Sequence, residues 1–194
     1  FGTSPKFLKA MEPSRLDFKK VLPRLECLLS TGAPLLPEQF DYAWETLGKD
    51  LRIASICGGT DIIGCFMLGN PELPVKRGEI QCLGLGMDVS SFDQDGKEVL
   101  DQEGELVCRQ TFPSQPVSFL NDHNHEKYQK AYFDKYPGVW THGDFITLTK
   151  EKTVKVFGRS DSTLNPGGVR IGTAEIYRQT EQLTYLEDTI CVGK

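Results

Sequence analysis

The 194-residue sequence lacks an excess of positive charge: 22 Lys and Arg stand against 27 Asp and Glu, a formal net charge of −5. Without a broad basic surface the chain is poorly suited to neutralising a run of phosphates, so no nucleic-acid partner is expected, although a local site for a small anion stays open. It also lacks an apolar run of membrane-spanning length and a recognisable signal peptide, and no membrane partner is expected. Its six cysteines, at 27, 57, 65, 82, 108 and 191, contain no C-x-x-C pair. That argues against a zinc site or a disulfide framework and for buried, reduced thiols of a cytosolic protein. There is no internal repeat and no low-complexity segment. Residue 1 is Phe rather than Met and the last residues, TICVGK, read as mid-strand. The expectation is an internal piece of a longer chain.

What is present is ordinary globular material, 39% hydrophobic and 25% charged, enough to bury a core. RLECLLSTG (24–32) reads as an apolar strand closed by Gly, and PEQFDYAWETLG (37–48) as a helix that opens at Pro37 and stops at Gly48. Phe40, Trp44 and Leu47 share one face of that helix, the pattern of a core stripe. LRIASICGG (51–59) reads as one short buried strand running into glycines. This β-α-β order predicts a parallel pair with the Gly59 loop at the carboxyl end of a strand, where ligands of open α/β sheets bind.

From about Val75 the texture changes to short strands with turn signals: GEIQCLG, GMDVSSFDQDGKEV and GELVCRQ, with Asp95-Gly96 marking a hairpin. After a polar loop (113–127) and a short helix ending near Tyr136, GVWTHGDFITLT and TVKVFG read as two more strands joined at Lys150 to Lys152. GTAEIYRQTEQL reads as a helix entered at Gly172 or Thr173, with Glu175 complementing its dipole. The fold class is therefore α/β with a strand-rich subdomain.

Four polar, glycine-associated clusters punctuate this framework: STGAPL (30–35), GGTDIIG (58–64), WTHGDF (140–145) and GRSDSTLNPGGVRIGTAEIY (158–177). The last sets Arg159 and Arg170 beside four glycines. Arginine offers a rigid donor fork for phosphate or ribose oxygens, and glycine lets a ligand approach the backbone. Each cluster alone also reads as a plain turn. LGLGMD (83–88) lacks the third glycine and following helix of a dinucleotide loop, and His123 and His125 in DHNHE have no third ligand near them in sequence, so they read as a solvated polar loop rather than a metal site.

Taken together, in this order and spacing, the four clusters resemble the adenylate-forming superfamily of acyl-CoA synthetases over nearly the whole chain. The segments FGTSP, GGTDIIGCF, GELVCRQ and YFDKYPGVWTHGDF are most similar to its acetoacetate-activating branch. The resemblance implies the C-terminal part of a large AMP-binding domain (1–158, strand-rich from about 75) followed by a hinge and the beginning of a small α+β domain (159–194). It implies an acid–thiol ligase using ATP, magnesium and coenzyme A through an acyl-adenylate.

Residue by residue, the resemblance implies that Gly32, Ala33 and Pro34 run beside the adenine, and that Gly59 and Thr60 approach the α-phosphate, with Thr60 donating its hydroxyl. Asp61 would hold the metal. The family carries Thr-Glu where this chain has Thr60-Asp61, one methylene shorter. Asp144 and Arg159 would take the ribose, with Gly143 turning the chain and His142 at the pocket edge; adenylation needs no acid or base from His142, because the attacking carboxylate is already ionised. Asp161 would be the hinge. Gly167, Gly168 and Arg170 would face coenzyme A, with Arg170 meeting a phosphate. Acetate-activating members carry two tryptophans where this chain has Cys57 and Gly58, which implies a pocket beside Gly58 opened for a four-carbon acid such as acetoacetate. Ser55 is the nearest polar side chain upstream, its facing undetermined. The family's phosphate loop would precede Phe1 and its distal lysine would follow Lys194, so the isolated chain is expected to be inactive. A noncatalytic module that binds an adenine nucleotide or a partner, and a ligase for another short-chain acid, remain the alternatives.

Overall fold

The computed structural model describes residues 1–14, 16–160, 173–180, 182–183, 185–186 and 189–191, with no side-chain detail at 173–175 and 178. The first unit is a small parallel sheet. Strands β1 (Gly2–Thr3), β2 (Cys27–Ser30) and β3 (Arg52–Ser55) lie in that order, with Leu28 paired to Ile53 and Ser30 to Ser55. Helices α1 (Pro5–Met11), α2 (Phe18–Val21) and α3 (Pro37–Leu47) connect them. Pro37 opens α3 with its fixed φ, and Gly48 at φ +148 ends it. Phe40, Ala43 and Leu47 of α3 are buried with Leu8, Leu28 and Ile53, and Trp44 packs half-buried on the same cluster. The parallel pair and the core stripe thus form as expected; β1, α1 and α2 have no counterpart in the sequence reading.

The stretch 51–59 is two strands rather than one. β3 stops at Ser55, and after Ile56 the chain enters β4 (Cys57–Gly59), which pairs antiparallel with β5 (Gly64–Leu68), itself paired with β6 (Cys82–Leu83). Antiparallel pairing therefore begins at Cys57, well ahead of Val75. Glycines that read as a loop form an edge strand because Gly58 and Gly59 can lie against the β5 backbone. The largest sheet runs β10 (Val154–Arg159), β9 (Trp140–Leu148), β8 (Glu103–Cys108), β7 (Val89–Phe92), and the Asp93–Gly96 turn follows β7. Helix α4 (Glu126–Tyr132) covers its second core, where Trp140, Phe66, Leu106 and Ile146 are buried, and α5 (Thr173–Thr180) follows β10. All six cysteines are free thiols, but only Cys108 is fully buried. No helix among the described residues is long and apolar enough to cross a membrane.

Candidate functional site

The strand β9 carries the first departure from a regular ladder. Glu105 of β8 pairs with Phe145 and Val107 with Thr141, so a single β8 residue, Leu106, faces three of β9: His142, Gly143 and Asp144. WTHGDF is thus a bulge inside a nine-residue strand, not a turn before one. On the other side β10 shifts register between Val156 and Gly158, where Gly158 has φ +115, and Arg159 pairs with Asp144. Two irregularities back to back leave Asp144 and Arg159 paired with each other at the end of the β9–β10 ladder, with Asp144 unpaired on the β8 side.

They open into a cavity of about 670 Å³. Its walls come from the carboxyl ends of the parallel strands, from β4 and from β10, the position at which open α/β sheets bind ligands. Gly32, Ala33 and Pro34 line one side, Cys57, Gly58, Gly59 and Thr60 another, and Asp144 with Arg159 a third. Segments more than a hundred residues apart in sequence therefore meet around one space. Ser55 and Tyr177 also line it.

Electrostatically the site is unusual at its floor. Asp144 is 8% exposed, and burial raises its carboxyl above the usual range, only partly offset by neighbouring His142 and Arg159. Cys57 donates its thiol to Asp144 Oδ2 at 3.6 Å, and burial foremost pushes that thiol upward. Arg159 Nη1 stands 3.9 Å from Asp144 Oδ1. His142 lies beneath the cavity, not at its edge: its side chain is 9% exposed, Nε2 donates to the Gly58 carbonyl at 3.2 Å, and its ring packs edge-on against Phe66. Burial foremost lowers its pKa, and Nε2 also stands 3.5 Å from Asp144 Oδ2. Its role is to brace β4. A Cβ on Gly59 would stand 2.9 Å from His142 Cε1.

Asp61 sits exposed in the turn between β4 and β5 and accepts a hydrogen bond from the Tyr132 hydroxyl through Oδ2. Tyr132 is held in turn by stacking on Trp140, centroids 3.6 Å apart and planes 13° from parallel. Among the described residues no group of three or more metal-ligating side chains forms.

Gly58 is bounded closely by the neighbouring strand. Gly58 lines the cavity, but a Cβ there would run into the Gly64 carbonyl oxygen and within 2.8 Å of Cys65 Cα. The register shift between Cys57 and Gly58 turns the substituent direction into β5 rather than into the cavity. No room for a side chain exists at position 58. Asp161, Gly167, Gly168 and Arg170 lie outside the described residues.

Sequence reading missed Glu105, Tyr132 and Ser160. Glu105, 1% exposed, accepts Lys135 Nζ at 2.5 Å and Ser160 Oγ at 2.6 Å. A signal existed: in GELVC the glutamate interrupts a strand buried on both faces, and a buried charge requires partners.

No protein-family model matches the chain. It is 49% identical over 196 residues to the acetoacetyl-coenzyme A synthetase of Rhizobium meliloti (strain 1021), covering 100% of this chain and 30% of that protein. It is 46% identical to the Mus musculus acetoacetyl-CoA synthetase, covering 98% and 29%. The chain spans about 30% of the length of these relatives. Among solved structures, the acetoacetyl-CoA synthetase of Streptomyces lividans superposes with a TM-score of 0.89 at 42% identity, over 100% of this chain and 30% of that one. The anthranilate CoA ligase AuaEII, solved with anthranoyl-AMP, superposes at 0.76 and 21% identity over 95% of this chain and 34% of its own, a likeness of fold alone.

Proposed function

We propose that this chain, kin over its whole length to one segment of the acetoacetyl-CoA synthetases and sharing the fold of part of the adenylate-forming enzymes, belongs to an ATP-dependent acid–thiol ligase that converts acetoacetate and coenzyme A to acetoacetyl-CoA. The observation that carries the reading is the convergence of 32–34, 57–60, Asp144 and Arg159 on one cavity. In the first half-reaction a carboxylate oxygen of the acid attacks the α-phosphorus of ATP and pyrophosphate leaves. In the second, the coenzyme A thiol attacks the acyl carbonyl, AMP leaves and the thiol proton is released.

The backbone of Gly32, Ala33 and Pro34 lies against the adenine. Asp144 accepts from the ribose hydroxyls and Arg159 donates to ribose oxygens, a bidentate exchange that fixes the nucleoside while the α-phosphate is held by Thr60. Gly59 lets the phosphate come close to the β4 backbone. Asp61 would hold magnesium, which when bound offsets the charge gathering on the phosphates. Cys57 and Gly58 form the cavity wall nearest the acyl group. Asp161 is assigned the hinge, and Gly167, Gly168 and Arg170 the approach to coenzyme A, on the family resemblance alone; residues 1–158 are assigned to the large domain and 159–194 to the start of the small one on the same ground. Six free thiols suit a reducing compartment such as the cytosol.

The test is acetoacetate-dependent AMP release by the full-length ligase with ATP and coenzyme A. Release abolished by Asp144→Ala and Arg159→Ala supports the reading; nucleotide binding by the full-length protein with no turnover on acetoacetate, acetate or butyrate supports a noncatalytic module instead.

A further inference from the structure

We propose that Glu105 is a positioning residue for Arg159, acting through Ser160; the proposal rests on the ribose reading above and extends it to a residue outside the cavity. Glu105, Phe145 and Gly158 form one row across β8, β9 and β10. From that row the Glu105 carboxylate reaches past the middle strand, and Oε1 accepts the Ser160 hydroxyl at 2.6 Å. Oε2 accepts Lys135 Nζ at 2.5 Å, and Lys135 also lies 5.4 Å from the Tyr136 ring centroid. The charge is thus buried but paired, the arrangement in which a carboxylate is retained rather than expelled.

Ser160 is fixed twice. Its N–H donates to the Gly143 carbonyl at 2.8 Å, and its hydroxyl is held by Glu105. Arg159, one residue earlier, is left with its guanidinium over Gly143, where a Cβ would come within 2.6 Å of Nη2. The end of β10 is therefore clamped to two other strands at the residue after the arginine. A guanidinium on an unclamped strand end samples many rotamers, and ordering it on binding costs affinity; a clamp removes part of that cost beforehand.

The experiment compares Ser160→Ala, Glu105→Ala, Glu105→Gln, the Ser160→Ala/Glu105→Ala double variant and Arg159→Ala in the full-length ligase. ATP dissociation constants are measured directly, alongside KM for ATP, kcat of acyl-adenylate formation and Tm. Ser160→Ala and Glu105→Ala are expected to weaken ATP about tenfold, the scale of one hydrogen bond to a charged group, with kcat changed less than KM. The double variant should be no worse than Glu105→Ala alone, and Glu105→Gln, which keeps an acceptor for Ser160, should recover most of the affinity. If Arg159→Ala weakens ATP and a folded Ser160→Ala does not, the positioning role is overturned while the ribose reading stands. Additive losses in the double variant overturn it as well. If Arg159→Ala leaves ATP binding unchanged, the ribose reading fails and takes the positioning role with it.

Discussion

Gly143 and Arg159 occupy one piece of space. Gly143 sits in the β9 bulge at φ +86, and the guanidinium of Arg159 fills the volume a side chain would claim, with Nη2 2.6 Å from the Cβ position. The glycine is therefore required twice, once for its backbone conformation and once for the arginine above it. Gly143→Ala should destabilise the fold by about 1 kcal/mol or more, because alanine is strained at positive φ. It should also displace the guanidinium and weaken ATP binding. Calorimetric unfolding together with an ATP titration checks both; a variant that loses stability but binds ATP normally would separate Arg159 from the nucleotide.

Asp144 offers the pH prediction. Burial raises its carboxyl, so protons return to it at a higher pH than to an exposed aspartate. The protonated form is a poorer acceptor for ribose hydroxyls, and ATP affinity should fall on acidification, beginning above the usual carboxylate range. Stability runs the other way. A folded-state pKa above the unfolded one contributes stability fully present below the unfolded value and lost as pH rises through the folded value, so at neutral pH the ionised carboxylate is a strain on the fold. Asp144→Asn should raise stability at neutral pH by about 0.5–2 kcal/mol while reducing ATP binding and flattening its acid limb, the trade-off common where a site keeps a costly group. Loss of stability in this variant would show that the carboxylate is a structural ligand of Cys57 and Arg159 instead.

The fold was legible where the signal was local. Pro37, the Phe40–Leu47 stripe and Gly48 mark the eleven-residue α3, and the apolar runs that contain 27–30 and 52–55 mark two parallel strands. The four clusters also named the cavity walls. What stayed hidden was non-local: the switch of sheet at Ile56, the three-against-one bulge at His142 to Asp144, and the Glu105–Ser160 bond across 55 residues. None of these follows from periodicity, because each depends on which strand becomes the neighbour. Where a side chain at Gly58 would point was hidden for the same reason, since that direction is fixed by the register of β5.

Tyr132 yields a prediction about magnesium. Its hydroxyl donates to Oδ2 of the exposed Asp61, and stacking on Trp140 fixes the ring. Groups that orient a metal-binding carboxylate commonly carry 10- to 100-fold in metal affinity. Tyr132→Phe, which keeps the stack, should raise the magnesium concentration needed for half-maximal acyl-adenylate formation by about tenfold and leave Tm nearly unchanged. An unaltered magnesium dependence would detach Asp61 from the metal.

Position 58 decides where the acyl group can and cannot be accommodated. Cys57 and Gly58 both face the cavity, yet the Gly58 substituent direction leads into the Gly64 carbonyl and the Cys65 backbone. Those are strand atoms paired with β4, and they cannot yield without breaking the β4–β5 ladder. Adding even one methyl group there should therefore act on folding, not on choice of acid. Gly58→Ala is expected to cost about 1–3 kcal/mol of stability, as overpacking does. Its kcat/KM for acetoacetate and for acetate, corrected for the folded fraction, should fall by the same factor. Cys57 is the contrasting case, because its thiol both lines the cavity and donates to Asp144, so Cys57→Ala should alter the ratio of the two specificity constants by enlarging the wall and should weaken ATP at the same time. A well-folded Gly58→Ala whose ratio moves toward acetate would show that the methyl group reaches the acyl chain after all, and that the β5 backbone, not the Cys57 side, bounds the pocket.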